Sequence, residues 1–509
     1  MVERHVLLGI DQGTTRTKAI LFNSLGEPIS SGYREVPQIY PRPGWVEQDP
    51  SVIWSATIEA VKEALGNAKI PVEKISAIGI ADQGETVVIW DRTTGQPIYN
   101  AIIWQCRRTA ETCEELKKKG LEKKISEKTG LVLDAYFSAT KVKWILDNIS
   151  NARQKAERGE ILFGTTDTWL IWNLTKGRSF VTDRATASRT MMFNIHTLEW
   201  DREILNWLDI PENILPSPCQ NSEVVGYTNP EIFFGKQIPI AGVIVDQQGA
   251  LFGQTCYRAG DIKNTYGTGC FVLMNTGNKP ISSRHGLLTT IAWSLNGKVE
   301  YALDGGIYVT GAAVKWLKEG LQIIGDVAET EEIAKSIQDT GGVYFVPAFT
   351  GLAAPYWDMY ARGTILGITG GTTRHHIVRA TLESIAYQVY DVLQCMKRDS
   401  ELPIESIRAD GGATANRFLM QFQADVLGIP VLVSKVIETT ALGAAYLAGL
   451  AVGVWKDREE LKKMDKIKYV YAPRMSEEKR NQLLAGWRKA VQRALNWKTG
   501  LGGSSSTSS

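Results

Sequence analysis

Nowhere does this sequence run for 18 consecutive apolar residues, so no segment of it is expected to cross a bilayer as a helix. It opens Met1-Val2-Glu3-Arg4-His5 and passes from that charged start straight into a short strand, without the apolar stretch of a signal peptide; a cytoplasmic protein is expected. Its six cysteines, Cys106, Cys113, Cys219, Cys256, Cys270 and Cys395, contain no CxxC pair, which argues against a zinc site and a disulfide framework. The five histidines contain no HExxH; His375 and His376 follow Arg374 at a predicted helix start, where a solvated or capping role outweighs metal binding. Charge of one sign is lacking too, with 57 basic against 55 acidic residues and a net charge of +2, which gives no reason to expect nucleic acid or an anionic membrane as partner. Three nucleotide and hydrolase signatures are missing: GxxxxGK[ST], GxGxxG after a strand, and GxSxG. Their absence weighs against a P-loop ATPase, a dinucleotide fold and an α/β hydrolase respectively.

What is present is a repeat. Asp11-Gln12-Gly13-Thr14-Thr15 opens one strand pair, and Tyr266-Gly267-Thr268-Gly269 opens another about 255 residues later. After the first, Ala19-Ile20-Leu21-Phe22 runs into a turn with Asn23 and Gly26 and then Pro28-Ile29; after the second, Phe271-Val272-Leu273-Met274 runs into Asn275 and Gly277 and then Pro280-Ile281. A Gly/Thr turn between strands presents backbone N–H groups and hydroxyls that suit phosphate oxygens. Either turn alone is ordinary hairpin chemistry. Two of them with matched surroundings suggest a clamp that grips one polyphosphate from both sides.

At 509 residues the chain is too long for one core and predicts two or more domains. Periodicity predicts strands at 6–10, 18–22, 75–80 and 86–90, and helices at 50–65, 108–119, 139–147 and 166–174. Such alternation argues for layered α/β domains. Between 215 and 240 the apolar pattern fades into Pro, Ser, Asn and Gly, read as a surface connection, and a small-residue stretch at 249–253 leads into the second hairpin. The domain boundary is therefore placed near 254, giving halves 1–254 and 255–497. Helices are predicted in the second half at 311–319, 329–336, 376–398, 416–427, 440–452 and 477–494. The Gly/Ser/Thr-rich end, 498–509, is expected to be a disordered tail.

Several segments resemble the FGGY carbohydrate-kinase family: Pro43-Gly44-Trp45-Val46-Glu47-Gln48-Asp49-Pro50, the run from Tyr99 to Thr109 (YNAIIWQCRRT), Tyr136-Phe137-Ser138-Ala139-Thr140-Lys141, the run from Asn264 to Phe271 (NTYGTGCF) and Pro347-Ala348-Phe349-Thr350-Gly351-Leu352. The likeness runs from about residue 5 to about 497. It implies an α/β fold of duplicated actin-like (ribonuclease H-like) domains with an ATP and substrate cleft between them, and ATP-dependent phosphorylation of glycerol to sn-glycerol 3-phosphate with Mg2+. It further implies polyol contacts at Glu85, Trp104, Tyr136, Asp246, Gln247 and Phe271, with Asp246 as the general base that accepts the attacking hydroxyl's proton. Asp246 also reads, from sequence, as a helix N-cap. Thr14, Thr15 and Thr268 would face phosphates, Gly311, Gly412 and Asn416 would lie in the ADP site, and Asp11 would be the carboxylate nearest a magnesium ion held mainly through phosphates and water. A homodimer or homotetramer is the assembly implied.

The chain departs from the resembled pattern at several places. Asp82-Gln83-Gly84-Glu85-Thr86 stands where Asn-Gln-Arg-Glu-Thr is usual, so the donor to a polyol hydroxyl is gone at Gly84. A hydrogen bond from a charged donor is worth about 1.5–3 kcal/mol, so the loss predicts affinity lowered roughly 10- to 150-fold, or an enlarged pocket for another acceptor. Lys18 replaces Arg, Lys315 replaces Gln, Gly370 replaces Arg and Val245 replaces Gly, while Arg16 offers a guanidinium near the first turn. The segment 229–237 has no histidine, so phosphohistidine control is not expected there. The alternatives are a kinase for another short polyol or ketose and a weakly active nucleotide-binding protein of actin-like fold.

Overall fold

The computed structural model describes residues 5–465 and 467–497, so the tail expected at 498–509 lies outside the described residues. The first half is built on β1 (Val6–Gln12), β2 (Arg16–Phe22), β3 (Pro28–Glu35), β4 (Ile75–Asp82), β5 (Ser222–Tyr227) and β6 (Pro239–Val245). They form one six-stranded sheet in the order β5-β6-β4-β1-β2-β3. The second half adds β7 (Ile262–Tyr266), β8 (Cys270–Gly277), β9 (Leu288–Leu295), β10 (Lys298–Ile307), β11 (Ile407–Asp410), β12 (Val431–Ser434) and β13 (Ile467–Tyr471). Their seven-stranded sheet has the order β9-β10-β8-β7-β11-β12-β13.

The two sheets repeat one plan. β1 pairs antiparallel with β2 and parallel with β4, β2 pairs antiparallel with β3, and β4 pairs parallel with β6, whose other neighbour β5 is antiparallel. In the same senses β7 pairs with β8 and β11, β8 with β10, β11 with β12, and β12 with β13. The duplication read from the two Gly/Thr turns is therefore a duplication of whole sheets.

The likeness of the two copies stops after their second strand, and the reading of 215–240 is corrected. Pro28 does begin a third strand, because Asn23 accepts from the N–H groups of Leu25 and Glu27 and Gly26 takes φ 69°, which folds the chain straight back. Pro280-Ile281 begins none. Asn275 there also accepts from the N–H two residues on, at Gly277, while its amide donates to the Cys256 carbonyl and to Glu300, and the third-strand position beside β8 is filled by β10 after the extra strand β9. The supposed surface connection at 215–240 contains β5, a half-exposed edge strand whose irregular register masks the apolar alternation. The small-residue stretch at 249–253 is the end of a helix, Asp246–Gly253.

The principal helices are α1 (Pro50–Ala68), α2 (Ser138–Asn148), α3 (Thr166–Thr175), α4 (Asp246–Gly253), α5 (Gly311–Glu319), α6 (Arg374–Ser400), α7 (Arg417–Leu427), α8 (Thr439–Ala451) and α9 (Glu477–Ala494), of which α1 and α3 cover one face of the first sheet and α4 and α8 the other. On one face Val6, Leu8 and Ile10 of β1 pack with Ile53, Ala60 and Val61 of α1 and Leu170 and Leu174 of α3. On the other, Leu7 packs with Leu251 of α4 and with Leu442 and Leu447 of α8. That period-two split assigns each residue of β1 to a layer. Helix α6 lies on the second sheet, started by Thr373 and His376, which cap one another.

Helix α8 comes from the second half of the chain yet seats on the first sheet. Its floor is a row of glycines in register across three strands, Gly9 opposite Gly79 and Gly79 opposite Gly242. A β-carbon on Gly79 would stand 2.1 Å from the carbonyl oxygen of Ala444, and one on Gly9 2.4 Å from that of Ala441. A helix carbonyl cannot swing aside, so overpacking here costs about 1–3 kcal/mol. Gly79→Ala is therefore expected to lower the free energy of unfolding by that amount, read as a lower midpoint of urea unfolding. Gly66→Ala, in open space on α1, is expected to hold or raise it.

Candidate active site

The ends of β1 and β2 set the first group. Asp11 and Lys18 are cross-strand partners, and Lys18 Nζ lies 2.5 Å from Glu438 Oε2, just before α8. Burial lifts Asp11 to about 7; Lys18 opposes the shift, while Glu438 and Asp246 add to it. The turn that follows has Thr14, half-buried, accepting from Trp104 Nε1 at 2.9 Å, and Thr15, exposed at the tip. Arg16 is exposed with its guanidinium 5.7 Å above the Tyr33 ring, on the same strand face as Lys18.

The second group is a pocket with aromatic walls and acidic ends. The Trp104 ring meets Tyr136 edge-on at 5.6 Å and Phe271 at 6.5 Å, so residues from both halves of the chain share one wall. Glu85 follows the end of β4, and its Oε1 accepts from Arg189 Nε at 2.7 Å. Burial raises Glu85 to about 7 even with Arg189 pulling it down. Lys141 of α2 holds the backbone around it, donating to the Glu85 carbonyl at 3.1 Å and the Tyr136 carbonyl at 2.6 Å, and burial lowers its ammonium to about 7.

Asp246 is the first residue of α4; Val245 holds the cap position instead. Its carboxylate accepts from the Gln247 backbone N–H at 2.6 Å and from Gln247 Nε2 at 3.1 Å. Lys263 on β7 donates to Gln247 Oε1 at 2.6 Å, which orients the amide so that its NH2 faces Asp246. Burial raises the Asp246 carboxyl, against Gln247, Lys263 and Arg189. Asp246, Gln247, Glu85, Trp104, Tyr136 and Phe271 thus converge, although they come from five separate stretches of sequence.

Gly84 does not leave the enlarged pocket that its sequence suggests. It adopts φ 56°, and a β-carbon there would meet Val245 Cγ2 at 2.7 Å. The valine methyl fills the space, so an arginine at position 84 would not fit unless residue 245 also changed.

The second Gly/Thr turn lies against the start of α5. Thr268 is exposed and its carbonyl accepts from Ala312 N–H at 3.1 Å, while Gly311 N–H donates to the Gly267 carbonyl at the same distance. A β-carbon on Gly311 would strike that carbonyl at 2.5 Å, so glycine is required for the start of α5 to lie against the turn. After β11, Gly411 is the pinned glycine, with φ 89° and the Tyr266 backbone against it, while Gly412 opens onto free space. Asn416 caps α7 by accepting from Leu419 N–H and donates to Thr330 Oγ1 at 3.1 Å. Lys315 is exposed and 3.5 Å from Glu319, one turn along its own helix.

Sequence reasoning missed Arg189, Lys263, Lys141, Asp304, Asp410 and Glu438. Arg189 is buried, touching Glu85 and, at 3.1 Å, Asp304 of β10 in the other half. Its signal was present: it is the lone charge between Arg184 and Glu199. Asp410 accepts from Gln254 Nε2 at 3.0 Å and from Thr439 Oγ1 at the head of α8. Asp410 ends β11 as Asp82 ends β4, which the duplicated sheet order would have flagged.

Two ribonuclease H-like sheets joined over a cleft of aromatic walls and carboxylates form the architecture of actin-like kinases. The chain belongs to the FGGY family of carbohydrate kinases: the family's N-terminal domain profile matches residues 6–253 and its C-terminal domain profile residues 262–452. It is 61% identical over 491 residues to the glycerol kinase of Caldanaerobacter subterraneus subsp. tengcongensis, covering 96% of this chain and 99% of that one. It is 60% identical to glycerol kinase 2 of Thermotoga maritima, with 97% and 99% covered. The solved structure of Plasmodium falciparum glycerol kinase with ADP matches with a TM-score of 0.90 at 39% identity, covering 97% of this chain and 98% of that one. A gluconate kinase from Lactobacillus acidophilus, at 23% identity and a TM-score of 0.85, shares the fold. Among the described residues no helix is long and apolar enough to cross a membrane.

If Glu85 accepts from the substrate, its titration sets the pH dependence of acceptor use. Its folded value of about 7 lies above the ordinary carboxylate range, so below about 7 the folded protein carries it neutral, and the charged acceptor is gained as pH rises through that value. kcat/KM for the acceptor is expected to fall on the acid side of about 7. Arg189→Gln removes the charge that opposes the shift, and the acid limb of the pH–rate profile is expected to move to higher pH.

Proposed function

We propose that the protein transfers the γ-phosphoryl group of ATP to glycerol, giving sn-glycerol 3-phosphate and ADP, as a cytoplasmic homodimer or homotetramer. The observation that carries this reading is the convergence of Asp246, Gln247 and Glu85 on a pocket walled by Trp104, Tyr136 and Phe271, in a chain about 60% identical over nearly its whole length to proteins named glycerol kinase. Carboxylates accept from the hydroxyls of a triol, Tyr136 and Gln247 add directional bonds, and the aromatic rings cover its carbon chain.

Asp246 acts as general base. It takes the proton of the attacking hydroxyl as that oxygen bonds to the γ-phosphorus and the bond from phosphorus to the β,γ-bridging oxygen breaks, releasing ADP. The shift of Asp246 toward higher pKa suits it to hold that proton. Thr14, Thr15, Lys18 and Thr268 face the phosphates; Gly311, Gly412 and Asn416 border the nucleotide, with Asn416 contributing through its cap. Arg16 and Lys315 are placed to reach the phosphates only by leaving Tyr33 and Glu319. Residues 1–254 thus supply most of the acceptor and phosphate contacts, joined by Thr268 and Phe271 from residues 255–497, which also hold the nucleotide site.

The donor set fits a magnesium ion that arrives with ATP. Asp11 is crowded by Glu438 and Asp246 with Lys18 as its main counter-charge, so a divalent cation beside it relieves that crowding. Asp11 would hold such an ion together with phosphate oxygens and water, in keeping with magnesium's reluctance to shed its waters. The ion would neutralise charge on the phosphates. A larger polyol or a ketose is the poorer reading, because Val245 fills the room that Gly84 would leave.

A coupled assay of ADP release with Mg-ATP is expected to show turnover with glycerol and none above background without it; absence of turnover at saturating glycerol overturns the proposal. Asp246→Asn is expected to lower kcat by about 10²- to 10⁴-fold while glycerol still binds, measured by calorimetry. Excess EDTA is expected to abolish turnover, and added Mg2+ to restore it.

A further inference from the structure

Gly84 and Val245 occupy equivalent places on neighbouring strands. Val245 ends β6, opposite Asp82 of the parallel strand β4, and directly precedes Asp246; Gly84 follows β4 and directly precedes Glu85. Two consecutive left-handed residues, Gly84 at φ 56° and Glu85 at φ 48°, turn the chain sharply here. The Val245 side chain is 2% exposed and packed in the same cluster as Ala185, Ala187, Ile244 and Leu251, so it has no room to retreat. A β-branched residue also has little rotamer freedom with which to yield. A β-carbon on residue 84 would lie 2.7 Å from its Cγ2, well inside the ~3.5–4.0 Å at which carbon atoms pack.

We propose that Val245 is a specificity-determining residue: its γ-methyl occupies the volume that any side chain at position 84 would need, and so fixes how closely the Glu85 turn approaches Asp246. Residues 84 and 245 then behave as one unit. With no donor at position 84, the buried cations beside the pocket are Arg189, Lys263 and Lys141, and each already has a protein partner: Glu85, Gln247, and the Glu85 and Tyr136 carbonyls. The acceptor is therefore gripped by the Glu85 and Asp246 carboxylates at a spacing that Val245 sets, which favours a short polyol over a longer one. This inference rests on the reading of the pocket as a polyol site.

A double-mutant cycle tests it, with wild type, Gly84→Ala, Val245→Gly and the double variant compared by melting temperature and by kinetics with glycerol. Adding a β-carbon at a left-handed position strains the backbone in either background, and that shared cost cancels in the cycle. Gly84→Ala is expected to raise the KM for glycerol at least tenfold and to lower the melting temperature when Val245 is present, and to change KM less than threefold when residue 245 is glycine. Failure of Gly84→Ala to fold beside Val245, with folding restored by Val245→Gly, supports the interlock equally. Equal effects in both backgrounds overturn it.

The specificity arm compares kcat/KM for glycerol and erythritol. Val245→Gly is expected to reduce the preference for glycerol at least fivefold with kcat for glycerol changed less than KM; an unchanged preference overturns the specificity role. If the wild-type protein phosphorylates neither polyol, the proposed function fails, while the melting temperatures of the four proteins still decide the interlock.

Discussion

The site depends on how α8 is seated. A helix from the second half of the chain lies on the first sheet with its carbonyls almost touching β1, β4 and β6, and only glycine at positions 9, 79 and 242 allows that approach. The same closeness recurs where α8 meets α4, since a β-carbon on Gly443 would strike the Gly249 carbonyl at 1.9 Å. The start of α8 therefore gathers three parts of the cleft. Glu438 reaches Lys18, Thr439 donates to Asp410, and Thr440 Oγ1 donates to the Asp246 carbonyl at 3.5 Å. Apolar packing on a glycine floor thus registers the ends of β1 and β2, the helix that bears Asp246 and the end of β11 against each other.

Around this frame the cleft concentrates charge that an ordinary interior would exclude. Asp11, Glu85, Asp246 and Asp410 are all raised by burial, while burial lowers Lys141 and Lys263. Each carboxylate has a cation or several donors within reach, which keeps such a cluster tolerable; removal of one partner would leave the other buried and uncompensated. Arg189 is the clearest case, because it answers Glu85 from the first half and Asp304 from the second. Energy spent on burying these groups is recovered as a preorganised field where phosphoryl transfer needs one.

Much of the fold was legible. The paired turns at Asp11–Thr15 and Tyr266–Gly269 announced the duplication, and helices such as Gly311–Glu319 and Glu477–Ala494 fell where their periodicity put them. The segment at 215–240 misled because an edge strand buries too little to alternate clearly. At Pro280-Ile281 the likeness of the two copies stops, because the third-strand position is taken by β10 after the extra strand β9, a long-range pairing that the local turn does not announce. Of the site, Glu85, Trp104, Tyr136, Asp246, Gln247 and Phe271 could be picked out by resemblance to a family, whereas Arg189 and Lys263 could not, since their roles exist only through partners far away in the chain.

The sequence by itself determined much of the element order and the pairing of the two Gly/Thr turns, because those follow from short-range periodicity and turn chemistry, while the acceptor residues were legible only through resemblance to a family. Only the tertiary structure decided which charges meet, that Asn416 spends its side chain on a cap and Lys315 pairs along its own helix, and that Gly84 opens no space. The reason is steric and electrostatic: whether a missing side chain leaves a cavity, or a buried carboxylate finds its cation, depends on atoms such as Val245 Cγ2 and Arg189 Nε that reach the site from more than a hundred residues away.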